Sequence, residues 1–329
     1  MAKLYLCRNF FPDISERLKE EHSFGAWNNV EEMPEEELLR VVSEVEGLLT
    51  CANKTSAAAF EAAKRLRVIS NMGDGCDHID LAEATRRGIP VGHTPDVLTE
   101  TTADLAFGLL IVAARRIVEG AAFARDGRWK AHAHLDLPGV DVNHKTLGIV
   151  GLGRIGTHIA KRGRAFNMNI IYHNRHQHLQ AESMVDATYY SKLEDMLADA
   201  DFVVLTPPHT AETTHLMSWE QFRAMKPTAI LINAARGPVV DNDALYDALK
   251  TGKILRAALD VTDPEPLPLD SPLFTLENLV IMPHIGSAVV ETRRRMWTMA
   301  VEQLLMGLRG ERIPNCMNPE VYERRASRV

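Results

Sequence analysis

Leu147-Gly148-Ile149-Val150-Gly151-Leu152-Gly153-Arg154-Ile155-Gly156 is an apolar run leading into a G-x-G-x-x-G turn, and the architecture follows from it. The run predicts a buried strand, and the residues after Gly153 predict a helix. Each glycine has its own physical task. Gly151 permits the tight turn, Gly153 lets the backbone approach a pyrophosphate, and Gly156 lets helix and strand pack closely. Arg154 and Ile155 fall in the first helical turn, whose N–H groups and dipole favour an anion. Gly151, Gly153, Arg154, Ile155 and Gly156 are therefore the candidate dinucleotide-binding residues. The motif is informative only between a strand and a helix within an α/β alternation.

The flanking sequence supplies that alternation. Strands are expected near residues 4–7, 47–49, 66–69 and 89–91, and again near 169–172, 201–205, 229–232, 255–259 and 279–282. Pro34, followed by Glu35, Glu36 and Glu37, marks a helix start. Arg86-Arg87-Gly88 marks a helix stop. One long apolar helix is expected over residues 97–118 and a last one over 288–308. β-α order favours parallel sheets with helices on both faces. The class is α/β, with two doubly wound units.

Composition narrows the functional classes. At 329 residues two domains are expected. Hydrophobic residues at 46% and charged residues at 25% exclude a long disordered tail and a disulfide-stapled miniprotein. A net charge of −7 offers no basic footprint for nucleic acid or an anionic membrane. Cys7, Cys51, Cys76 and Cys316 show no redox or zinc spacing, which fits a reducing compartment, the cytoplasm. No apolar run has the length of a membrane span. His173, His176 and His178 cluster in a polar loop without nearby Cys or carboxylate ligands, so no metal is expected.

The second strand of a dinucleotide fold usually ends in an acid that holds the ribose hydroxyls. Here the chain reads Ile170-Ile171-Tyr172-His173-Asn174-Arg175. Asn174 and Arg175 stand where the acid is expected, and an arginine suits a 2′-phosphate. NADP(H) is the preferred cofactor, with NAD(H) the alternative. Downstream, Arg236 follows one strand, Glu265 a second and His284 a third. Arg236 can hold a carboxylate through paired N–H groups and polarise an oxo group. His284 can protonate the oxo oxygen as hydride reaches carbon. Glu265 can fix the imidazole tautomer.

Four motifs in this order, at residues 151–156, 233–237, 259–266 and 283–288, carry a resemblance to the D-isomer-specific 2-hydroxyacid dehydrogenases over essentially the whole chain. Gly92-His93-Thr94-Pro95-Asp96-Val97-Leu98-Thr99-Glu100-Thr101-Thr102-Ala103 and Pro264-Glu265-Pro266-Leu267 look most like the glyoxylate/hydroxypyruvate reductases and their 2-ketogluconate reductase relatives. Asn315-Cys316-Met317-Asn318-Pro319 is similar to the ketogluconate side. The resemblance implies NADPH-dependent reduction of a small 2-oxo acid to the D-2-hydroxy acid, with 2-keto-D-gluconate an alternative substrate. Arg236, Glu265 and His284 would be catalytic, Asp260 would contact the nicotinamide carboxamide, and Thr102 would lie beside the cofactor. Asn71-Met72-Gly73-Asp74-Gly75 resembles the loop whose amides, at Asp74 and Gly75, bind the substrate carboxylate.

The resemblance also implies a discontinuous, flavodoxin-like substrate domain, residues 1–98 and 286–329. Inserted in it would be a Rossmann-type dinucleotide-binding domain, residues 99–285. The active site would lie in the cleft, crossed by helices near 100–118 and 288–308, and the protein would be a homodimer through the cofactor domain.

Two departures stand out. Asp74 replaces a usual apolar residue, and its charge would repel an anion unless it points away. His132 stands where those reductases carry a second tryptophan after the one matching Trp129. A different class also fits: the corepressors called C-terminal binding proteins keep the same Arg, Glu and His as dinucleotide sensors, and turnover separates the two. Glu265 argues against a formate dehydrogenase, which is expected to carry Gln there.

Overall fold

In a computed structural model, residues 1–29, 31, 33–131 and 136–326 are described, apart from the side chains of 324–326. The expectation for His132 lies outside these residues. The chain divides into two compact units, Met1–Leu98 with Val289–Val329, and Thr99–Ala288.

The first unit carries β1 (Lys3–Leu6), β2 (Ser23–Ala26), β3 (Gly47–Thr50), β4 (Val68–Asn71) and β5 (Val91–Gly92). They form one parallel sheet in the order β2-β1-β3-β4-β5. This is the flavodoxin-like doubly wound order. β3 and β4 are buried at every position, as expected of central parallel strands covered on both faces. The returning helix Val290–Arg309 packs on β3 and β4. Its fully buried Trp297 donates to Ser15 Oγ at 3.0 Å, and its Ala300 carbonyl accepts from Ser70 Oγ at 2.7 Å. Asn318 ties the last segment to β5, accepting from Val91 N–H and donating to the Ile89 carbonyl.

The second unit carries β6 (Thr146–Val150), β7 (Asn169–His173), β8 (Ala187–Tyr189), β9 (Phe202–Leu205), β10 (Ile230–Asn233), β11 (Arg256–Leu259) and β12 (Leu279–Ile281). They pair in parallel in the order β12-β11-β10-β9-β6-β7-β8. The order reverses between β6 and β9, and ligands of open α/β sheets bind beyond the strand ends at such a switch. Ile149, Ile170, Val204, Ile230 and Ile232 pack on one sheet face; Val150, Val203, Leu205, Leu231 and Leu259 pack on the other.

The structure adds to the sequence reading and shifts parts of it. β2 and β8 are edge strands with alternating or partial exposure, so their apolar signal is weak. β4 starts at Val68, later than residue 66. Pro34 is the N-cap rather than the first helical residue. The long apolar helix is two helices, Thr99–Arg115 and Ile117–Arg125. Arg116 between them has φ +54°, and its guanidinium meets Glu119. Apolar periodicity runs through this break and conceals it.

Candidate active site

The glycine turn leaves β6 at the switch point. Gly151 has φ +98°, and a Cβ there would meet Pro207 N at 2.7 Å, so glycine is required on both counts. Gly153 is the N-cap of the helix Arg154–Ala165, and nothing stands within 4 Å of where its Cβ would be. That open cradle over a helix N-terminus fits a pyrophosphate. Arg154 is exposed, Ile155 is half-buried, and Gly156 sits against the Gly151 carbonyl.

At the end of β7, Asn174 Oδ1 accepts from Leu152 N–H at 2.8 Å, and so braces the glycine turn. Arg175 is exposed. The Thr210 hydroxyl holds the Glu212 carboxyl below its ordinary value, and the Arg175 charge adds to this. Arg175 therefore stands within electrostatic range of the loop after β9, across the switch point.

The polar groups gather beyond β10, β11 and β12. Arg236 follows β10, with Nη1 donating to the Ala235 carbonyl at 2.8 Å. Its local backbone is set by the fully buried Asn233, whose amide donates to the Arg236 carbonyl at 3.0 Å and accepts from Ala235 N–H at 3.0 Å. A Cβ on Gly237 would lie 1.9 Å from the Thr262 carbonyl oxygen, so only glycine lets these two loops cross.

His284 Nδ1 and Glu265 Oε1 are 2.5 Å apart. His284 has φ +50°, a left-handed backbone uncommon for histidine. Asp260 holds that conformation. Its carbonyl accepts from His284 N–H at 2.9 Å, Oδ1 accepts from Ile285 N–H at 2.8 Å, and Oδ2 accepts from Gly286 N–H at 2.9 Å. Burial pushes the Asp260 carboxyl up, and the Ile285 N–H, the His284 charge and the Gly286 N–H offset part of the rise. Asp260 N–H in turn donates to the Asn233 carbonyl at 2.9 Å. The strand ends bearing Arg236 and His284 are thus linked through one buried amide and one buried carboxylate. Thr102 is buried beside Gly286.

In the first unit, Asp74 and Gly75 lie in the turn after β4, half-buried. Asn71 Nδ2 donates to the Gly73 and Gly75 carbonyls at 3.3 and 2.9 Å. No group of three or more potential metal ligands occurs among the described residues, and none of their helices is long and apolar enough to cross a membrane.

Residues 107–286 match the family described as D-isomer specific 2-hydroxyacid dehydrogenase, NAD binding domain. The chain belongs to the D-isomer-specific 2-hydroxyacid dehydrogenases. It is 45% identical over 327 residues to a glyoxylate reductase of Pyrococcus horikoshii, spanning 98% of this chain and 97% of that protein. It is 45% identical over 312 residues to glyoxylate/hydroxypyruvate reductase B of Shigella boydii, spanning 94% and 96%. Among solved structures it is similar to an NADPH-dependent glyoxylate/hydroxypyruvate reductase of Sinorhizobium meliloti, in complex with NADP and malonate. There the TM-score is 0.85 and the identity 31%, over 97% of this chain and 98% of that one.

In this dehydrogenase two bracing residues, Asn233 and Asn71, carried no role in the sequence reading. The available signal was an asparagine at the last position of a buried strand, where an apolar residue is usual. Burial of such an amide requires partners, and the partners prove to be the loops that carry Arg236 and Gly75.

Proposed function

We propose that this dehydrogenase reduces a small 2-oxo acid of the glyoxylate or hydroxypyruvate type to its D-2-hydroxy acid, with NADPH preferred over NADH. The observation that carries the proposal is the 2.5 Å contact between Glu265 Oε1 and His284 Nδ1. With Nδ1 engaged by the carboxylate, Nε2 is the nitrogen left to carry a proton to the substrate oxo oxygen. The Arg236 guanidinium holds the carboxylate and polarises the oxo group. The amides of Asp74 and Gly75 hold a carboxylate oxygen. Asp260 and Thr102 line the nicotinamide side, and Gly151, Gly153, Arg154, Ile155 and Gly156 cradle the pyrophosphate. NADPH supplies the hydride when bound. Arg175, exposed at the end of β7 where no acid stands, supports recognition of its 2′-phosphate, and Asn174 keeps the turn beside it in place.

The names of the Pyrococcus, Shigella and Sinorhizobium proteins support the same substrate class. The homodimer is proposed to form through the cofactor domain, over the helix Ile117–Arg125. None of that helix is buried, and Ile117 and Val118 are exposed by 48% and 46%.

A panel of glyoxylate, hydroxypyruvate and 2-ketogluconate with NADPH and NADH, followed by loss of reduced-nicotinamide absorbance, tests the proposal. Turnover of glyoxylate or hydroxypyruvate, faster with NADPH, is expected. Turnover of 2-ketogluconate alone would move the substrate class. Nucleotide binding without turnover of any 2-oxo acid would favour a dinucleotide-sensing protein.

A further inference from the structure

The turn after β4 has an order that the substrate reading leaves unexplained. Three successive carbonyls are engaged. Gly73 O accepts from Thr94 N–H at 2.9 Å and from Asn71 Nδ2 at 3.3 Å. Gly75 O accepts from Asn71 Nδ2 at 2.9 Å. Between them, Asp74 O lies 2.9 Å from His93 Nδ1. A carbonyl only accepts, so Nδ1 carries the hydrogen. In a trans peptide plane C=O and N–H point in opposite directions. Each plane therefore turns its N–H, that of Asp74, Gly75 or Cys76, away from the donor that holds its carbonyl. Successive N–H groups turned to one side form a concavity that takes an anion.

We propose that His93 is the positioning residue of this anion loop. By holding the Asp74 carbonyl it aims the Gly75 N–H, the middle donor of the three, at a small carboxylate. The same nitrogen stands 3.5 Å from Asp74 Oδ1, so His93 meets the Asp74 carboxylate as well as its carbonyl. The His93 backbone is itself anchored. The side chain is 13% exposed, the backbone N–H donates to the Asn315 carbonyl at 3.1 Å, and the backbone carbonyl accepts from the buried Gln303 Nε2 at 2.8 Å. The inference rests on the proposal that the Asp74 and Gly75 amides bind the substrate carboxylate.

Malonate, a carboxylate that cannot be reduced, separates this inference from the catalytic one. Its dissociation constant is measured by calorimetry on the full chain with NADP+ present, for wild type, His93→Ala and His93→Asn. An asparagine amide stands where Nδ1 stands and restores the donor. His93→Ala is expected to weaken malonate about tenfold, the loss of one well-aimed donor to an anion, and to raise the glyoxylate KM by a similar factor with kcat little changed. His93→Asn is expected to bind as wild type does. His93→Gln, whose amide is displaced by one methylene, is expected to weaken binding too and serves if His93→Ala does not fold. Unchanged affinity in His93→Ala or His93→Gln, equal weakening in His93→Ala and His93→Asn, or no malonate binding by wild type would overturn the proposal. Malonate binding that follows the expected order, without turnover of any 2-oxo acid, would remove the reductase reading and leave this one standing.

Discussion

Replacing Asp260 by Asn is the most informative single change in the second unit. Both carboxylate oxygens are used, one by Ile285 N–H at 2.8 Å and one by Gly286 N–H at 2.9 Å. An amide offers one acceptor oxygen and one NH2 group. One backbone N–H therefore loses its acceptor and faces another donor. A hydrogen bond to a charged group contributes about 1.5–3 kcal/mol, and an unsatisfied buried donor costs a similar amount. Burial already raises the Asp260 carboxyl, so removing its charge returns part of that. A net loss of about 2 kcal/mol is expected, which is roughly 30-fold in rate if it falls on the placement of His284.

The assay is single-turnover oxidation of NADPH by glyoxylate, with the dissociation constant of NADPH measured in parallel. The hydride-transfer step is expected to slow roughly tenfold to a hundredfold. NADPH affinity should change much less, because the two N–H groups belong to the loop bearing His284. An Asp260→Asn enzyme with a wild-type rate and weakened NADPH would leave Asp260 acting on the nicotinamide alone and not as the brace of His284.

Other outcomes follow from single sites. Arg175→Ala should reduce the proposed preference for NADPH over NADH by about tenfold to a hundredfold, the worth of a charge-assisted phosphate contact; kcat/KM ratios for the two cofactors check this. Charged replacements on the exposed helix, Ile117→Asp with Val118→Asp, should convert the proposed dimer to monomer in sedimentation velocity while each unit stays folded. Burial alone would raise the Asp201 carboxyl, but the Thr146 N–H and the Lys226 ammonium, each 2.9 Å away, outweigh it and hold the group below its ordinary value. The stability this contributes is present above the unfolded carboxyl's pKa and is lost as pH falls through the lower folded one. Asp201→Asn should therefore lower Tm by roughly 2–6 °C near neutrality, and thermal melts should show the gap closing in acid.

Much of this was legible in the sequence because the relevant signals are local. An apolar strand running into three spaced glycines has few other structural solutions, and β3, β4, β9 and β10 are apolar enough to be read as buried strands. Arg236, Glu265 and His284 could be picked out because each follows a strand, where α/β sheets collect ligands. The remainder depends on groups brought together by the fold. Nothing in the sequence around Asp74 says that its carboxylate faces His93, nineteen residues on. Nor does the run from Thr99 reveal that Arg116 turns left-handed. The brace joining Asn233, Asp260 and His284 spans the ends of β10, β11 and β12, and only the parallel register places those ends side by side.

His284, held by Glu265, is proposed to give the proton that accompanies hydride transfer. The most direct measurement is the pH dependence of the single-turnover rate of NADPH oxidation by glyoxylate, for wild type beside His284→Asn. The wild-type rate is expected to fall as pH rises, and the His284→Asn rate to be lower by about 10²–10⁴-fold and without that dependence. A His284→Asn enzyme that keeps the wild-type rate and the same fall with pH would contradict it.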